Sequence, residues 1–344
     1  MEVSNIWWTH VSYNMNFIQN CINHLMKHNS LVLTFPKEIP FYDEMRSMLE
    51  SKIKEIDAYR NIEYINSLDK EPGELLLEKF CKREKRAKYR KGIGYPKFLG
   101  ESRDISLNQY YIWVTGIDGN SCRSWVNFIS AYNRYVPKDV DPCLFILEYM
   151  GNESVLLQGS NSIKNVTYHY STYDLYTYCS LLTSQYSMST WKKHYICELV
   201  VNLCERNVEL CYSLVSYQEQ LMKNTYDVLN EVSKLEIDFK FLEKKIWESQ
   251  LKQVFPRIES FRTNFIQNKY SELEICVPFL KACGKDVDNP FDIELGGLIF
   301  LLGEKKFNVN SIEYYEIENF RKARNALAHL KTIDYELLCK IMDR

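Results

Sequence analysis

The chain has 344 residues, more than one ordinary helical domain needs and enough to build two separate cores. Hydrophobic residues make up 46% and charged residues 26%, a balance that excludes the disordered and collagen-like classes. A formal net charge of −2 excludes a global field drawing in nucleic acid or an anionic membrane, so a polyanion would have to meet a local patch.

The first residues, MEVSNIWWTHVSYN, carry neither a basic leader nor an apolar stretch of signal-peptide length. No segment approaches the roughly 20 apolar residues that span a bilayer. The 11 cysteines include no CxxC pair. A cytoplasmic chain with reduced thiols, no zinc and no membrane partner is expected. Cys197, Cys204 and Cys211 recur every seven residues, which predicts one face of one helix, filled by small apolar side chains.

In chain order, an amphipathic run FIQNCINHLMKH leads into SLVLTF (Ser30–Phe35), a short apolar strand ended by Pro36. A helix follows from about Tyr42 to Asp57. Tyr110–Asp118, Cys143–Tyr149 and Asn165–Ser171 read as further strands, with helical stretches such as SWVNFISAYNRY between them. Such alternation predicts crossover units around a mostly parallel sheet. From Trp191 the pattern turns helical. Apolar positions at helical period run through WKKHYICELVVNLCERNVELCYSLV, then through a second stretch up to Pro256, then through RIESFRTNFIQNKYSELEI. A Gly/Pro/Asp-rich break at Cys283–Asp292 precedes helices around Leu295–Leu302 and Ser311–Leu330. The predicted fold class is therefore α/β plus all-α: an α/β sheet domain over 1–188 and a helical bundle over 189–344.

An early strand followed by a helix invites a nucleotide site, which would need glycine amides in the first turn. That turn reads TFPKEIPFYDEM, the first glycine of the chain is Gly73, and no GxxxxGK[ST] occurs. Two prolines remove amide donors there. Asp118, at the end of one strand, and Glu148, near the end of another, resemble the metal-side carboxylates of P-loop ATPases. The first domain thus resembles a degenerate signal-transducing ATPase that lacks its phosphate loop, or is an unrelated α/β domain whose carboxylates cap loops. No ATP hydrolysis, no cofactor and no metal are expected.

Two stretches carry charge that could act on a polyanion. EKFCKREKRAKYRKG (Glu78–Gly92) offers Lys82, Arg83, Lys85, Arg86, Lys88, Arg90 and Lys91 to phosphates, and Tyr89 to a base, as a nucleic-acid-binding patch; a solvated surface is the plainer alternative. The second stretch is FRKARNALAHLKT (Phe320–Thr332). Asn325 and His329 lie one turn apart on a helix, as do Arg321 and Asn325, while the long side chain of Arg324 reaches round from one side.

The arrangement R-N-x-x-A-H in a late helix, followed by a turn and a final helix, resembles the HEPN superfamily, and the resemblance covers about the last 100 to 150 residues. It implies a metal-independent endoribonuclease whose site forms where two motif helices meet in a homodimer or higher oligomer. His329 would act as general base or acid, Arg324 would hold the scissile phosphate and Asn325 would orient one of them, with Arg321 as an auxiliary phosphate contact. The products implied are a 2′,3′-cyclic phosphate and a 5′-hydroxyl. It further implies an RNA-cleaving toxin or antiviral effector, with a regulatory protein or nucleic acid acting on the first domain. The alternative is a non-catalytic HEPN-like adaptor that only dimerises within a larger complex. Glu259, Arg262 and Glu294 are expected to support the bundle or line the site, and the other histidines (His10, His24, His28, His169, His194) to be structural.

Overall fold

A computed structural model describes residues 3–67, 70–102, 105–151, 162–233 and 238–343. The chain forms two compact units, Met1–Asp174 and Leu175–Arg344. The division falls within helix Thr172–Ser184, ahead of the expected boundary near residue 188.

The first unit is built on five parallel strands, β1 (Ser30–Phe35), β2 (Asn61–Asn66), β3 (Tyr110–Ile117), β4 (Leu144–Met150) and β5 (Ile163–Thr167), in the order β2-β3-β4-β1-β5. The continuous burial of β1, and of β4 as far as Tyr149, follows from their place in the middle, where helices cover both faces of a parallel sheet. The sequence reading missed β2. NIEYIN sits at an edge with only Ile65 fully buried, so it shows no apolar run. The last strand ends at Thr167 rather than Ser171: Tyr168 still donates its amide to Thr34, but its ring leaves the ladder to pack among Trp8, Phe17 and Phe35.

β3 is bulged between Val114 and Ile117. Gly116 has φ 68 there, and a Cβ on it would meet Asn66 Oδ1 at 2.5 Å, so only glycine suits the bulge. The chain then reaches Asp118, whose carboxylate accepts the Ser121 amide at 2.7 Å and caps helix Gly119–Tyr135.

At the centre of the sheet Glu148 of β4, 2% exposed, lies beside Leu33 of β1. Its carboxylate accepts Arg46 Nε at 2.9 Å, Arg46 Nη2 at 2.5 Å, Trp113 Nε1 at 2.8 Å and the Tyr42 hydroxyl. Tyr42 and Arg46 lie one turn apart on helix Tyr42–Ile56, so this one buried charge fixes that helix to β3 and β4. A carboxylate removed from water survives only with such a full set of donors.

The described residues of the second unit are helices and loops. The long helix Phe239–Asn268 packs against helices Thr190–Cys204, Ser311–Ala328 and Tyr335–Met342. It runs straight through Pro256, where the sequence reading placed a break. Pro256 faces solvent, so water can satisfy the Lys252 carbonyl that loses its helical partner. A second correction concerns the seven-residue cysteine repeat. The helix Thr190–Cys204 stops at Glu205 (φ 51), and Asn207 accepts the Leu210 amide at 3.0 Å to start Val208–Ser216. Cys211 is therefore on a different helix from Cys197 and Cys204, although all three are buried. The periodicity survives the break because both helices turn the cysteines into one core.

Candidate functional site

The motif helix Ser311–Ala328 starts with a capping box. Asn310 Oδ1 accepts the Glu313 amide and Glu313 Oε2 accepts the Asn310 amide, both at 2.9 Å. Ile317, Phe320, Ala323 and Leu327 are buried at steps of three and four residues, and Phe320 stacks on Phe261 of the long helix with centroids 4.0 Å apart. Burying that stripe leaves Arg321, Arg324 and Asn325 partly exposed and His329 exposed.

The end of this helix is fixed three ways. His329 is the C-cap; the Lys331 amide bonds the Ala326 carbonyl at 2.9 Å and the Leu330 amide that of Leu327 at 3.2 Å, the pattern of a Schellman motif. Trp247 Nε1 donates to the Leu327 carbonyl at 2.9 Å. Gln250, buried in the long helix, grips the backbone of Ile333 from both sides, Nε2 to its carbonyl at 2.8 Å and its amide to Oε1 at 2.7 Å. The turn that carries His329 is thus held by two side chains about 80 positions away in sequence. Spacing could not reveal them; a Trp and a Gln inside a long amphipathic helix look like ordinary packing residues.

Leu330 occupies the left-handed position of the motif, φ 57, where glycine is favoured, and its side chain is 72% exposed. Leu330→Gly is expected to raise stability by about 0.5–1 kcal/mol, the relief of left-handed strain less the added freedom of the unfolded chain. The check is the urea midpoint; a lowered midpoint would mean that Leu330 makes contacts outweighing the strain.

The arginines of the motif differ in their ties. Arg321 is held by Glu318 of its own helix, Nε to Oε2 at 2.9 Å and Nη2 to Oε1 at 2.8 Å. These bonds hold the Glu318 carboxyl below its usual range. Among the described residues Arg324 makes one hydrogen bond, Nη2 to Glu294 Oε2 at 2.9 Å. The side chains of Asn325 and His329 have no hydrogen-bond partner among the described residues. Arg324 lines a cleft of about 420 Å³ together with Glu294, Arg262, Glu259, Phe255 and Phe291. Arg262, which also lines it, binds Glu259 at 2.9 Å and the Phe291 carbonyl at 2.6 Å.

The basic stretch lies in the first unit. Lys82, Arg83, Arg86, Lys88, Arg90 and Lys91 are exposed around the short helix Arg83–Arg86, and Lys85 is half-buried. Arg90 Nη1 folds back onto the Ala87 carbonyl at 2.8 Å. Tyr89 stacks on Tyr95 with centroids 4.4 Å apart and meets Phe98 edge-on, so one face of its ring is already covered.

The two carboxylates read against the ATPase pattern both have structural partners. Asp118 caps a helix, and the bonds from Ser121 hold its carboxyl below the usual range. Glu148 is filled by Arg46, Tyr42 and Trp113. Pro36 and Pro40 stand in the turn after β1, where a phosphate would seek amides. Among the described residues no group of three or more His, Cys, Asp or Glu side chains could hold a metal ion, and no helix is long and apolar enough to cross a membrane.

Compared with protein-family models the chain matches none, and comparison with curated proteins likewise gives no match.

Proposed function

We propose that the chain is a metal-independent endoribonuclease of the HEPN type, with Arg324, Asn325 and His329 as its working residues. The observation that carries this reading is a contrast at the end of the motif helix. Among the described residues the imidazole of His329 and the amide of Asn325 are open, and Arg324 has one singly bonded, exchangeable partner, whereas Arg321 is held by two bonds to Glu318 and Arg262 by bonds to Glu259 and two backbone carbonyls. A helix end clamped from behind by Trp247 and Gln250 while its polar side chains stay open suits a site that must hold its geometry before substrate arrives.

In the proposed reaction the ribose 2′-oxygen attacks the adjacent phosphorus and the bond to the 5′-oxygen breaks. One imidazole takes the proton from the 2′-oxygen, and a second, from the motif helix of a partner copy, gives a proton to the leaving 5′-oxygen. Arg324 binds the phosphate and stabilises the charge that builds on its oxygens. Products are a 2′,3′-cyclic phosphate and a 5′-hydroxyl. The nucleophile belongs to the substrate, so acid–base groups and a cation are enough. Such an activity is harmful to its own cell when unregulated, and a role as toxin or antiviral effector in the cytoplasm, switched through the α/β unit by a protein or nucleic-acid partner, follows from that. The exposed cations from Lys82 to Lys91 suit contact with a phosphate backbone.

A second reading has its own observation. Ile312 and Tyr315 on the motif helix are 68% and 67% exposed, side chains that favour association whether or not chemistry follows. In that reading the helical unit is a dimerisation adaptor. Purified chain and His329→Ala, incubated with labelled single-stranded RNA in EDTA with the product ends mapped, separate the two. Cleavage by the unaltered chain alone, leaving cyclic phosphates, is expected. Equal cleavage by both would remove His329 from the chemistry, and silence in both, with dimers intact and the regulatory partner supplied, would leave the adaptor.

A further inference from the structure

Glu294 is placed oddly for an acidic side chain. It stands at the N-cap of helix Leu295–Gly303 and makes no capping bond; its carboxylate reaches instead to Arg324 at 2.9 Å. The pair is open, with side-chain exposures of 37% for Arg324 and 67% for Glu294, and an ion pair so wet is weak and exchangeable. The other charges of the cleft are not free to exchange. Arg262 and Glu259 bind each other, Arg262 also binds the Phe291 and Ile293 carbonyls, and Asp292 accepts the amides of Asp288 and Asn289 at 2.9 Å. Arg324 is thus the one guanidinium of this cleft that an incoming anion could take over by displacing a single carboxylate. Beside it, Phe255 and Phe291 are 42% and 39% exposed and line the same 420 Å³ space, which is ample for a nucleotide. Half-exposed aromatic rings next to a cation suit a base with its phosphate.

The geometry points to a nucleotide subsite: a phosphate of single-stranded RNA replaces Glu294 on Arg324, the neighbouring base enters the cleft against Phe255 and Phe291, and Glu294 holds the phosphate seat in the free chain. This rests on the ribonuclease reading, and adds where the nucleotide beside the cut lies and which group it displaces. Glu294 is a positioning residue: it orients Arg324 before binding and competes with substrate for it.

The test is the anisotropy of a short fluorescein-labelled oligoribonucleotide titrated with His329→Ala, which leaves the RNA uncut, and with the same chain carrying one further change. Glu294→Gln is expected to bind about two- to fivefold more tightly, the effect of losing one exposed ion pair. Phe255→Ala and Phe291→Ala should each bind at least about fivefold more weakly. Arg324→Ala should bind more weakly, with a slope of log affinity against log salt shallower by about 0.7. Circular dichroism and melting confirm that each variant folds. Unchanged or weaker binding by folded Glu294→Gln, or unchanged binding by both Phe variants, while the Arg324 arm behaves as expected, overturns this subsite and leaves the ribonuclease reading standing. An Arg324→Ala chain that binds as before, or no RNA binding by any variant, overturns both.

Discussion

His329→Ala is expected to lower the rate of RNA cleavage by about 10²- to 10⁴-fold, the usual contribution of a positioned acid–base group, while changing stability little. The imidazole is exposed and makes no hydrogen bond among the described residues, so its removal should leave the packing of the bundle unchanged. Its backbone role as C-cap is kept by alanine, because the cap is made by main-chain bonds from Leu330 and Lys331. Arg324→Ala should cost about 10²- to 10³-fold, the scale of one group that stabilises developing charge. Arg324→Lys should not restore the rate fully, since an ammonium cannot present the planar fork of a guanidinium to phosphate. Asn325→Ala, which removes an orienting amide, should fall between these and the unaltered chain. Single-turnover cleavage of a labelled RNA measures all four. A His329→Ala chain that cuts within threefold or so of the unaltered rate would end the general acid–base assignment.

The second large effect concerns stability and lies in the other unit. Arg46→Met is expected to destabilise the α/β unit by about 3–5 kcal/mol, because it leaves the buried Glu148 charge without its cation. Tyr42 and Trp113 still donate to the carboxylate, but two neutral donors do not replace a guanidinium. The double change Arg46→Met/Glu148→Gln should recover part of the loss: a neutral amide needs no counter-charge and its oxygen can still accept from Trp113. Urea unfolding followed by tryptophan fluorescence, with Trp113 itself a reporter, gives both midpoints. If the single variant unfolds within about 1 kcal/mol of the parent, or the double is no better than the single, then Glu148 is not the group that ties helix Tyr42–Ile56 to the sheet.

Where the sequence spoke clearly, one physical signal dominated. β1, β3 and β4 are apolar runs because their strands lie inside the sheet, and they were read within a residue or two. β2 escaped since an edge strand needs few apolar side chains, and Glu63 even faces out to pair with Lys79 at 2.6 Å. Pro256 misled because proline's cost depends on whether the orphaned carbonyl meets water, a property of burial and not of sequence. Glu205 misled in the opposite direction: nothing in CERN marks a residue that must take φ 51, and apolar periodicity ran on across it. At the candidate site, spacing alone places Arg324 and Asn325 on the last turns of one helix and His329 at its end. The groups that hold or occupy them were less legible. Trp247, Gln250 and Glu294 come from other elements, and local spacing carries no information about partners 30 to 83 positions away.

The strand order has a consequence for the chain's synthesis. β1 finds its two neighbours late, Leu31 pairing with Ile146 and Ser30 with Ile163. On a ribosome adding about 5–20 residues per second, roughly 6 to 23 s pass between the making of Leu31 and of Ile146, its first partner. Throughout that interval SLVLTF, an apolar segment with both edges open, has no place to go in its own sheet. The helical unit, whose bonds are mostly local, follows directly behind. The nascent α/β unit is therefore the stage at which a chaperone would bind and at which aggregation would begin, and slowing translation between Phe35 and Leu144 should lengthen that exposure.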